Sequence, residues 1–361
     1  MKSYHLQQPF LHYLSSVLVG RNRNAFCITR PPGHHAGING LLDGAESCGF
    51  CIFNNVAAGA MHALSDENNR PKCERCAIVD IDVHHGNGTE EIVKKCDHPG
   101  RLFFFSAHLY DNDNDKKRGK QNGFTFYPGT GDDDDVAHNV INVPIAPMWK
   151  NSASRSQSPV PENRHNTRHK SKQKAVLSLN GNTGQNKPSD QESINKSASP
   201  DKKAEKETES FSSSRSRRNG KQQTQGSFLY GTGREAYRQS IQQRLLPALR
   251  AFNPDLILLS MGVDACRGDV GNARHYRNGR QLQGIDLTPD DYAWTTSKIM
   301  EVADICCQGR VVSVLEGGYG KPRDGNDKND LLDKSVISEC AMKHIQALVD
   351  PEAVATSEPW I

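Results

Sequence analysis

The sequence predicts an α/β fold, a parallel sheet covered by helices on both faces. Three observations predict it. Short, almost continuous apolar runs recur at 77–83, 102–106, 254–260 and 310–315, and such runs mark strands buried on both sides. Segments of helical periodicity alternate with them, which implies parallel strands joined by crossover helices. Carboxylates, histidines and a tyrosine stand at the ends of the runs, where an open α/β sheet places its site.

The stretch that organises the rest is AIVDIDVHHGNGTEEI, residues 77–92. Ala77, Ile78, Val79, Ile81 and Val83 read as a buried strand with Asp80 and Asp82 inside it. Side chains alternate along a strand, so Asp80, Asp82 and the start of the His84-His85 pair project to one side at its C-terminal end. An ionised carboxylate taken out of water unpaired is strongly unfavourable, so two in one strand imply a cation or a hydrogen-bond partner for each. Carboxylates that merely cap a helix opened by Thr89, Glu90 and Glu91 would leave Asp80 and Asp82 unexplained within the apolar run.

At 361 residues and net charge +3, the chain is long enough for one large α/β domain or two small ones. The expected organisation is a first part of one domain, 1–150, an insertion, 151–226, and the second part, 227–361. The insertion is Ser, Asn, Gln, Lys and Arg with hardly an aromatic and a clear basic excess. It cannot bury enough apolar surface to fold and is expected to be disordered. Within it Arg215-Ser216-Arg217-Arg218 reads as solvated linker in preference to an import or phosphorylation signal. Ten cysteines without secreted spacing point to a reducing compartment. The pairs Cys48/Cys51 and Cys73/Cys76 read as thiols in preference to a four-cysteine zinc ribbon, because a helix and the run-in to a strand separate them. The apolar stretch 10–19, interrupted by His12, Ser15 and Ser16, reads as a helix ending at Gly20 rather than a signal peptide. No span is long enough to cross a membrane, and no base-reading motif argues for direct nucleic-acid binding.

In chain order, a strand at 25–29 runs into Arg30-Pro31-Pro32-Gly33-His34-His35, where two prolines exclude helix and stiffen the loop that presents the histidines. A helix of small residues follows at 54–61. After the central strand and its helix come the strand 102–106, a polar loop closing on Gly123-Phe124-Thr125-Phe126-Tyr127-Pro128, whose aromatics can line a channel, and a short strand at 142–145. Beyond the insertion the reading is an amphipathic helix containing a proline, 234–252, and a strand, 254–260, ending in Gly262-Val263-Asp264. A helix over 292–307 is capped by Thr288-Pro289-Asp290-Asp291. The last strand, 310–315, delivers Glu316-Gly317-Gly318-Tyr319-Gly320, and a closing amphipathic helix spans 335–349.

Asp82, His84 and Asp264 offer two oxygens and one nitrogen to a divalent ion and leave a position open, the pattern of a catalytic rather than a structural zinc site. Zinc lowers the pKa of bound water to about 7. His34 or His35 can take the proton as general base, and Tyr319, between glycines, can donate to a developing oxyanion. The set reads as metal-assisted hydrolysis of an amide or ester.

Taken in order, RPPGHHAG, GFCIFNNVA, VDIDVHHGNGTEEI, YPGTG, GVDA and VLEGGYG resemble the zinc-dependent histone deacetylases, class II, over about residues 24–350 outside the insertion and some polar loops. The resemblance implies the arginase/deacetylase fold and hydrolysis of Nε-acetyl-lysine in proteins to lysine and acetate. It further implies a place in the nucleus or cytoplasm, chromatin regulation and transcriptional repression, histone tails or other acetylated proteins as substrates, and a corepressor complex as partner. By the same resemblance Asp82, His84 and Asp264 match the zinc ligands. His35 matches the general base and acid, and His34, paired with Asp80, its electrostatic neighbour. Asn87 stands where class I enzymes have an aspartate beside the second histidine, and a neutral partner should raise that imidazole's pKa less. Tyr319 matches the tyrosine that polarises the acetyl carbonyl, and its presence in place of histidine favours turnover. Gly49 matches a backbone acceptor for the substrate amide, Phe50 and Tyr127 match the aromatic walls of the lysine tunnel, and Gly318 joins the substrate-binding set. The second wall is usually Phe, so the Tyr127 hydroxyl could shift acyl preference. A potassium ion is implied on the backbone oxygens of Asp80, Asp82 and His84 and the hydroxyl of Ser106.

Family domains carry a longer segment before the histidine pair, including a first strand and a rim aspartate, whereas 33 residues precede His34 here. The expected N-terminal part is therefore short, from a fragment or a differently built rim. The insertion falls in a loop, where length matters little. Three rivals share features of the site. An acetylpolyamine amidohydrolase would keep every catalytic residue and differ at the rim. A binuclear manganese enzyme such as arginase needs further aspartates near the metal, against which Asn87 and the single Asp264 argue. A non-catalytic acetyl-lysine-binding corepressor scaffold would keep the pocket without turnover.

Overall fold

Six parallel strands form the central sheet of the computed structural model: Asn24–Cys27 (β1), Cys76–Asp80 (β2), Leu102–Leu109 (β3), Val140–Ile145 (β4), Leu256–Met261 (β5) and Val311–Leu315 (β8). An antiparallel ribbon of Arg274–Arg277 (β6) and Arg280–Gln283 (β7) falls between β5 and β8 in the chain. The sheet order is β1-β8-β5-β2-β3-β4, which puts β2, with its two flanking carboxylates, in the interior. The structure describes residues 4–65, 73–97, 99–110, 126–150, 231–272, 274–277, 280–323 and 332–355, all within one compact unit, Met1–Ser158 with Gln223–Ile361. The expected insertion at 151–226 with its Arg215-Ser216-Arg217-Arg218 motif, and residues 123–125 of the aromatic loop, lie outside the described residues.

Strand alternation sends the apolar side chains to two separate cores. Ala77, Val79, Phe103, Phe105, Ile257 and Leu259 meet Tyr237, Ile241, Leu249, Ile299 and Val336 on one face. Cys76, Ile78, Phe104, Leu258 and Val312 meet Phe10, Leu14, Val56, Ala60 and Val93 on the other. The second face is covered by Tyr4–Leu18 (α1), Asn55–Leu64 (α2) and Asn87–Lys94 (α3). The first is covered by Gly233–Ser240 (α4), Leu246–Phe252 (α5), Pro289–Cys307 (α6) and Ser335–Val349 (α7). Each fully buried Leu, Ile or Phe contributes about 1.5–3 kcal/mol, against a net of about 1 kcal/mol per ladder hydrogen bond. The two apolar faces therefore do more than the ladder to hold the layers together. Among the described residues no helix is long and apolar enough to cross a membrane.

Several element ends differ from the sequence reading, each for a visible reason. The central strand stops at Asp80 rather than Val83. The Asp82 and His84 amides turn onto the carboxylates of Asp80 and Asp82, at 3.1 and 2.9 Å, so side-chain acceptors replace the ladder and the chain leaves the sheet. The helix expected over 234–252 is broken by a π-helical turn, Ile241–Leu245, before α5; Pro247 has no N–H to donate into the turn before it. Helix α6 starts earlier than residue 292 because Thr288 and Asp291 form a capping box around Pro289. The buried Asp291 carboxylate also accepts from Arg234 Nε on both oxygens, at 2.9 and 2.7 Å, and from Arg238 Nε on Oδ1 at 2.6 Å, tying α6 to α4. A short helix, Pro351–Ala355 (α8), follows α7.

His344 on α7 is fully buried between Thr296 Oγ1 (2.7 Å) and Ser313 Oγ (2.9 Å), and burial pushes its pKa down to about 3 from an ordinary value of 6.5. With the folded value depressed, the unfolded chain binds the proton first as pH falls. This group leaves stability untouched above about pH 6.5 and removes about 1.4 kcal/mol per pH unit from there down to about pH 3. Urea midpoints measured between pH 7 and 5 should fall more steeply for the wild type than for His344→Gln, by the slope of one proton. Parallel curves would rule out a buried neutral imidazole at this position.

Candidate active site

The ends of β2, β5 and β8 deliver their polar residues to one place. One ligand atom each of Asp82, His84 and Asp264 lies within 4.8 Å of the other two. His84 Nδ1 is 3.0 Å from Asp82 Oδ1 and 3.1 Å from Asp264 Oδ2. Asp264 Oδ1 accepts the Val83 amide at 3.0 Å, but Asp264 Oδ2 is buried with no hydrogen bond of acceptable geometry. Two buried carboxylates and an imidazole, with one oxygen left unsatisfied, fit a divalent cation, whose charge would remove both the repulsion and the unpaired acceptor. The backbone is cut to this shape. A Cβ on Gly262 would stand 2.0 Å from Asp82 Oδ2, and one on Gly317 would stand 2.2 Å from Asp264 Oδ2. Burial opposes a charge on His84, but Asp264 and Asp82 outweigh it and push its pKa up to about 10.

The tandem histidines carry opposite electrostatics although their ring centroids lie only 4.0 Å apart, with the planes tilted by 44°. His34 Nδ1 meets Asp80 Oδ2 at 2.9 Å. Burial works against its proton, yet Asp80, Asp82 and Glu316 hold its pKa well above the usual value. His35 is lowered well below it, by burial first and then by the charge of His34, with the bond to Asn87 pulling the other way. Asn87 Oδ1, which already accepts the Gly88 amide, lies 2.8 Å from His35 Nδ1. That assigns the proton to Nδ1 and leaves Nε2 with a free lone pair. The surroundings thus favour the charged form of the first imidazole and the neutral form of the second.

Tyr319 and Asp264 face one another across Gly271, where a Cβ would sit 3.1 Å from Tyr319 Cδ2 and 2.7 Å from Asp264 Cβ. Burial, then Asp264 and Asp82, push the phenol's pKa far up, so it keeps its proton. Above these groups opens a cavity of about 890 Å³ whose lining includes His35, Gly49, Phe50, His84, Tyr127 and Tyr319. A cavity of about 920 Å³ elsewhere, lined by Ile38, Phe53 and Met61, holds none of these side chains. Phe50 stands at the mouth, 76% exposed, with its backbone at φ +68°, a conformation that costs a non-glycine residue about 1–3 kcal/mol and clusters at functional sites. Tyr127 packs 4.9 Å from the His35 ring, and its hydroxyl donates to Ser47 O at 2.7 Å. Gly49, at φ +51°, passes so close to His35 that a Cβ would lie 2.4 Å from its ring. Gly318 is set apart from the cavity lining; its φ of +126° and a Cβ position 2.4 Å from Val263 Cγ2 demand glycine there. Ser106 lies in register beside Asp80, and its hydroxyl is 2.9 Å from His108 Nδ1. Cys48, Cys51, Cys73 and Cys76 are free thiols, and among the described residues they form no metal-holding group.

Two carboxylates went unassigned in the sequence. Glu316 is fully buried and accepts the amides of Gly33 at 2.6 Å and His34 at 3.2 Å, fastening the histidine loop to the end of β8. Burial pushes its pKa up to about 7. Its signal was available, a charge closing the apolar run VVSVL. Asp269, in a polar loop after Asp264, gave no such signal and accepts the Tyr319 and Gly320 amides.

A family model described as the histone deacetylase domain matches residues 7–159 and 196–329. Type-2 histone deacetylase 2 of Dictyostelium discoideum is 28% identical over 334 residues, 90% of this chain and 12% of that protein. An uncharacterized protein of Synechocystis is 28% identical over 307 residues, covering 84% and 60% of the two chains. Histone deacetylase 15 of Arabidopsis thaliana is 26% identical over 310 residues, covering 84% and 34%. The chain therefore spans less than two thirds of the length of these relatives. The crystal structure of an HDA15 HD domain matches 95% of this chain and 60% of its own, with a TM-score of 0.51 at 23% identity, and so shares the fold. With a parallel sheet of the arginase/deacetylase type and a family match over most of its length, this chain belongs to the histone deacetylase domain family.

Proposed function

We propose that this domain is a zinc-dependent protein lysine deacetylase of class II type, hydrolysing Nε-acetyl-lysine to lysine and acetate. The observation that carries the reading is the meeting of Asp82, His84 and Asp264 below a cavity that also holds a neutral His35 and a protonated Tyr319. When bound there, zinc supplies Lewis-acid polarisation of the scissile carbonyl and acidifies water toward neutral pH. His35, with Nδ1 tied to Asn87, presents Nε2 to take a proton and return it to the leaving amine. The charged His34, kept so by Asp80, disfavours a lasting second charge beside it, so the proton is passed on rather than held. The Tyr319 phenol donates to the carbonyl oxygen as negative charge develops. Phe50 and Tyr127 flank the apolar lysine stem, and Gly49 O accepts the substrate amide. The Tyr127 hydroxyl donates to Ser47 O and keeps its acceptor lone pairs, through which it would shift acyl preference at this wall.

Asn87 and the RPPGHHAG loop support class II. Potassium on the backbone oxygens of Asp80, Asp82 and His84 with the Ser106 hydroxyl, a histone tail or other acetylated protein as substrate, a corepressor partner in transcriptional repression, and residence in the nucleus or cytoplasm belong to the same proposal. The test is acetate release by the zinc-loaded protein from an acetyl-lysine peptide, stopped by a chelator and restored by zinc. Faster turnover of an acetylpolyamine would favour the amidohydrolase reading, and peptide binding with no acetate released would favour a scaffold.

A further inference from the structure

The segment that carries Tyr319 has no regular structure, yet its backbone is held on both sides. Glu316 N–H donates to Met261 O at 3.2 Å, and Gly317 N–H donates to Asp82 Oδ2 at 2.7 Å. The oxygens of Gly317 and Gly320 accept from Val263 and Val270, each at 3.0 Å. Arg30 donates to the carbonyls of Glu316 at 2.9 Å and Gly318 at 2.5 Å. The amides of Tyr319 and Gly320 both donate to one oxygen, Asp269 Oδ2, at 2.9 and 2.7 Å, while Asp269 Oδ1 takes the Gly271 amide at 2.8 Å.

Three features make this more than loop anchoring. Gly318 and Gly320, on either side of Tyr319, have φ of +126° and +102°, and glycine imposes little backbone preference of its own, so the direction of the tyrosine is not set locally. Asp269 is fully buried, and an ionised oxygen accepts two N–H groups more strongly than a neutral one can. The same carboxylate holds Gly271, the residue wedged between the Tyr319 ring and Asp264. One side chain therefore fixes both the backbone of Tyr319 and the gap between its ring and the carboxylate cluster.

We propose that Asp269 is a positioning residue that aims the Tyr319 phenol into the cavity, with Arg30 gripping the carbonyl side of the same loop. The inference rests on reading Tyr319 as the group that polarises the substrate carbonyl. Asparagine at 269 keeps the shape but has one acceptor oxygen, so it cannot serve Tyr319, Gly320 and Gly271 together.

The experiment uses the whole zinc-loaded chain in four forms: wild type, Asp269→Asn, Tyr319→Phe and the double variant. Asp269→Asn should lower kcat about 10- to 100-fold with KM changed less than about twofold, as expected when a group is misplaced rather than removed. In the Tyr319→Phe background the same change should cost less than about threefold, because the hydroxyl it aims is gone. Hydrogen exchange at the Tyr319 and Gly320 amides should accelerate about 10-fold or more in folded Asp269→Asn. Equal losses in both backgrounds, a change in KM alone, or unaltered exchange would each overturn the proposal. Should Asp269→Asn not fold, Arg30→Lys, which keeps the charge but not the two-carbonyl grip, is put through the same cycle with the same criteria. A wild type inert toward acetyl-lysine would sink the deacetylase reading instead, and the exchange data would still decide whether Asp269 holds the loop.

Discussion

Tyr319→Phe should lower kcat about a hundred- to a thousandfold on the proposed reaction, with zinc content and peptide affinity staying near wild type. The substitution removes one oxygen and its proton and keeps the ring that packs against Gly271, Phe50 and the Arg30 guanidinium. Burial and the neighbouring carboxylates keep the phenol protonated, so what is lost is a hydrogen-bond donor rather than a base. A donor that strengthens its bond only as charge develops on the substrate lowers the barrier without tightening ground-state binding, so the loss belongs in kcat and not in KM. Steady-state kinetics with metal analysis of both proteins checks this. A loss confined to KM, or zinc lost together with activity, would count against the role.

The second large effect is at Asp264. Asp264→Asn should reduce zinc affinity by more than the ten- to hundredfold typical of outer-shell changes, and abolish acetate release at limiting zinc. The reason is the unsatisfied Oδ2. Asparagine keeps the oxygen that accepts the Val83 amide but puts an NH₂ where the unpaired acceptor faces His84 and Asp82. The fold should survive, because in the metal-free protein the substitution relieves like-charge repulsion between two buried carboxylates. Zinc titration and urea unfolding of metal-free protein separate the two effects. Zinc affinity unchanged in a folded Asp264→Asn would remove Asp264 from the ligand set and with it the proposed chemistry.

Much of this arrangement was legible before any coordinates. A strand buried on both faces must be apolar along its length, so β2, β3, β5 and β8 announce themselves, and a carboxylate beside such a run demands an explanation. That is why Asp80, Asp82 and Asp264 could be singled out. What composition and periodicity could not show were interactions between residues remote in the chain and silent in pattern. Glu316 fastens the histidine loop across 282 residues, and Asp269 holds Tyr319 across 50. Each works through backbone amides, which every residue but proline possesses. The π-helical turn before α5 was equally hidden, since a proline signals a break but not the form the backbone takes around it.

By itself the sequence determined the layered parallel sheet, the order of its chemical groups and the family to which they compare, because burial and alternation write those in side-chain type. Only the tertiary structure decided that the His34 pKa is pushed up and the His35 pKa down. Both are the same residue in the same loop, and their protonation is set by loss of water and by carboxylates brought from other strands, quantities that exist only once the chain has folded.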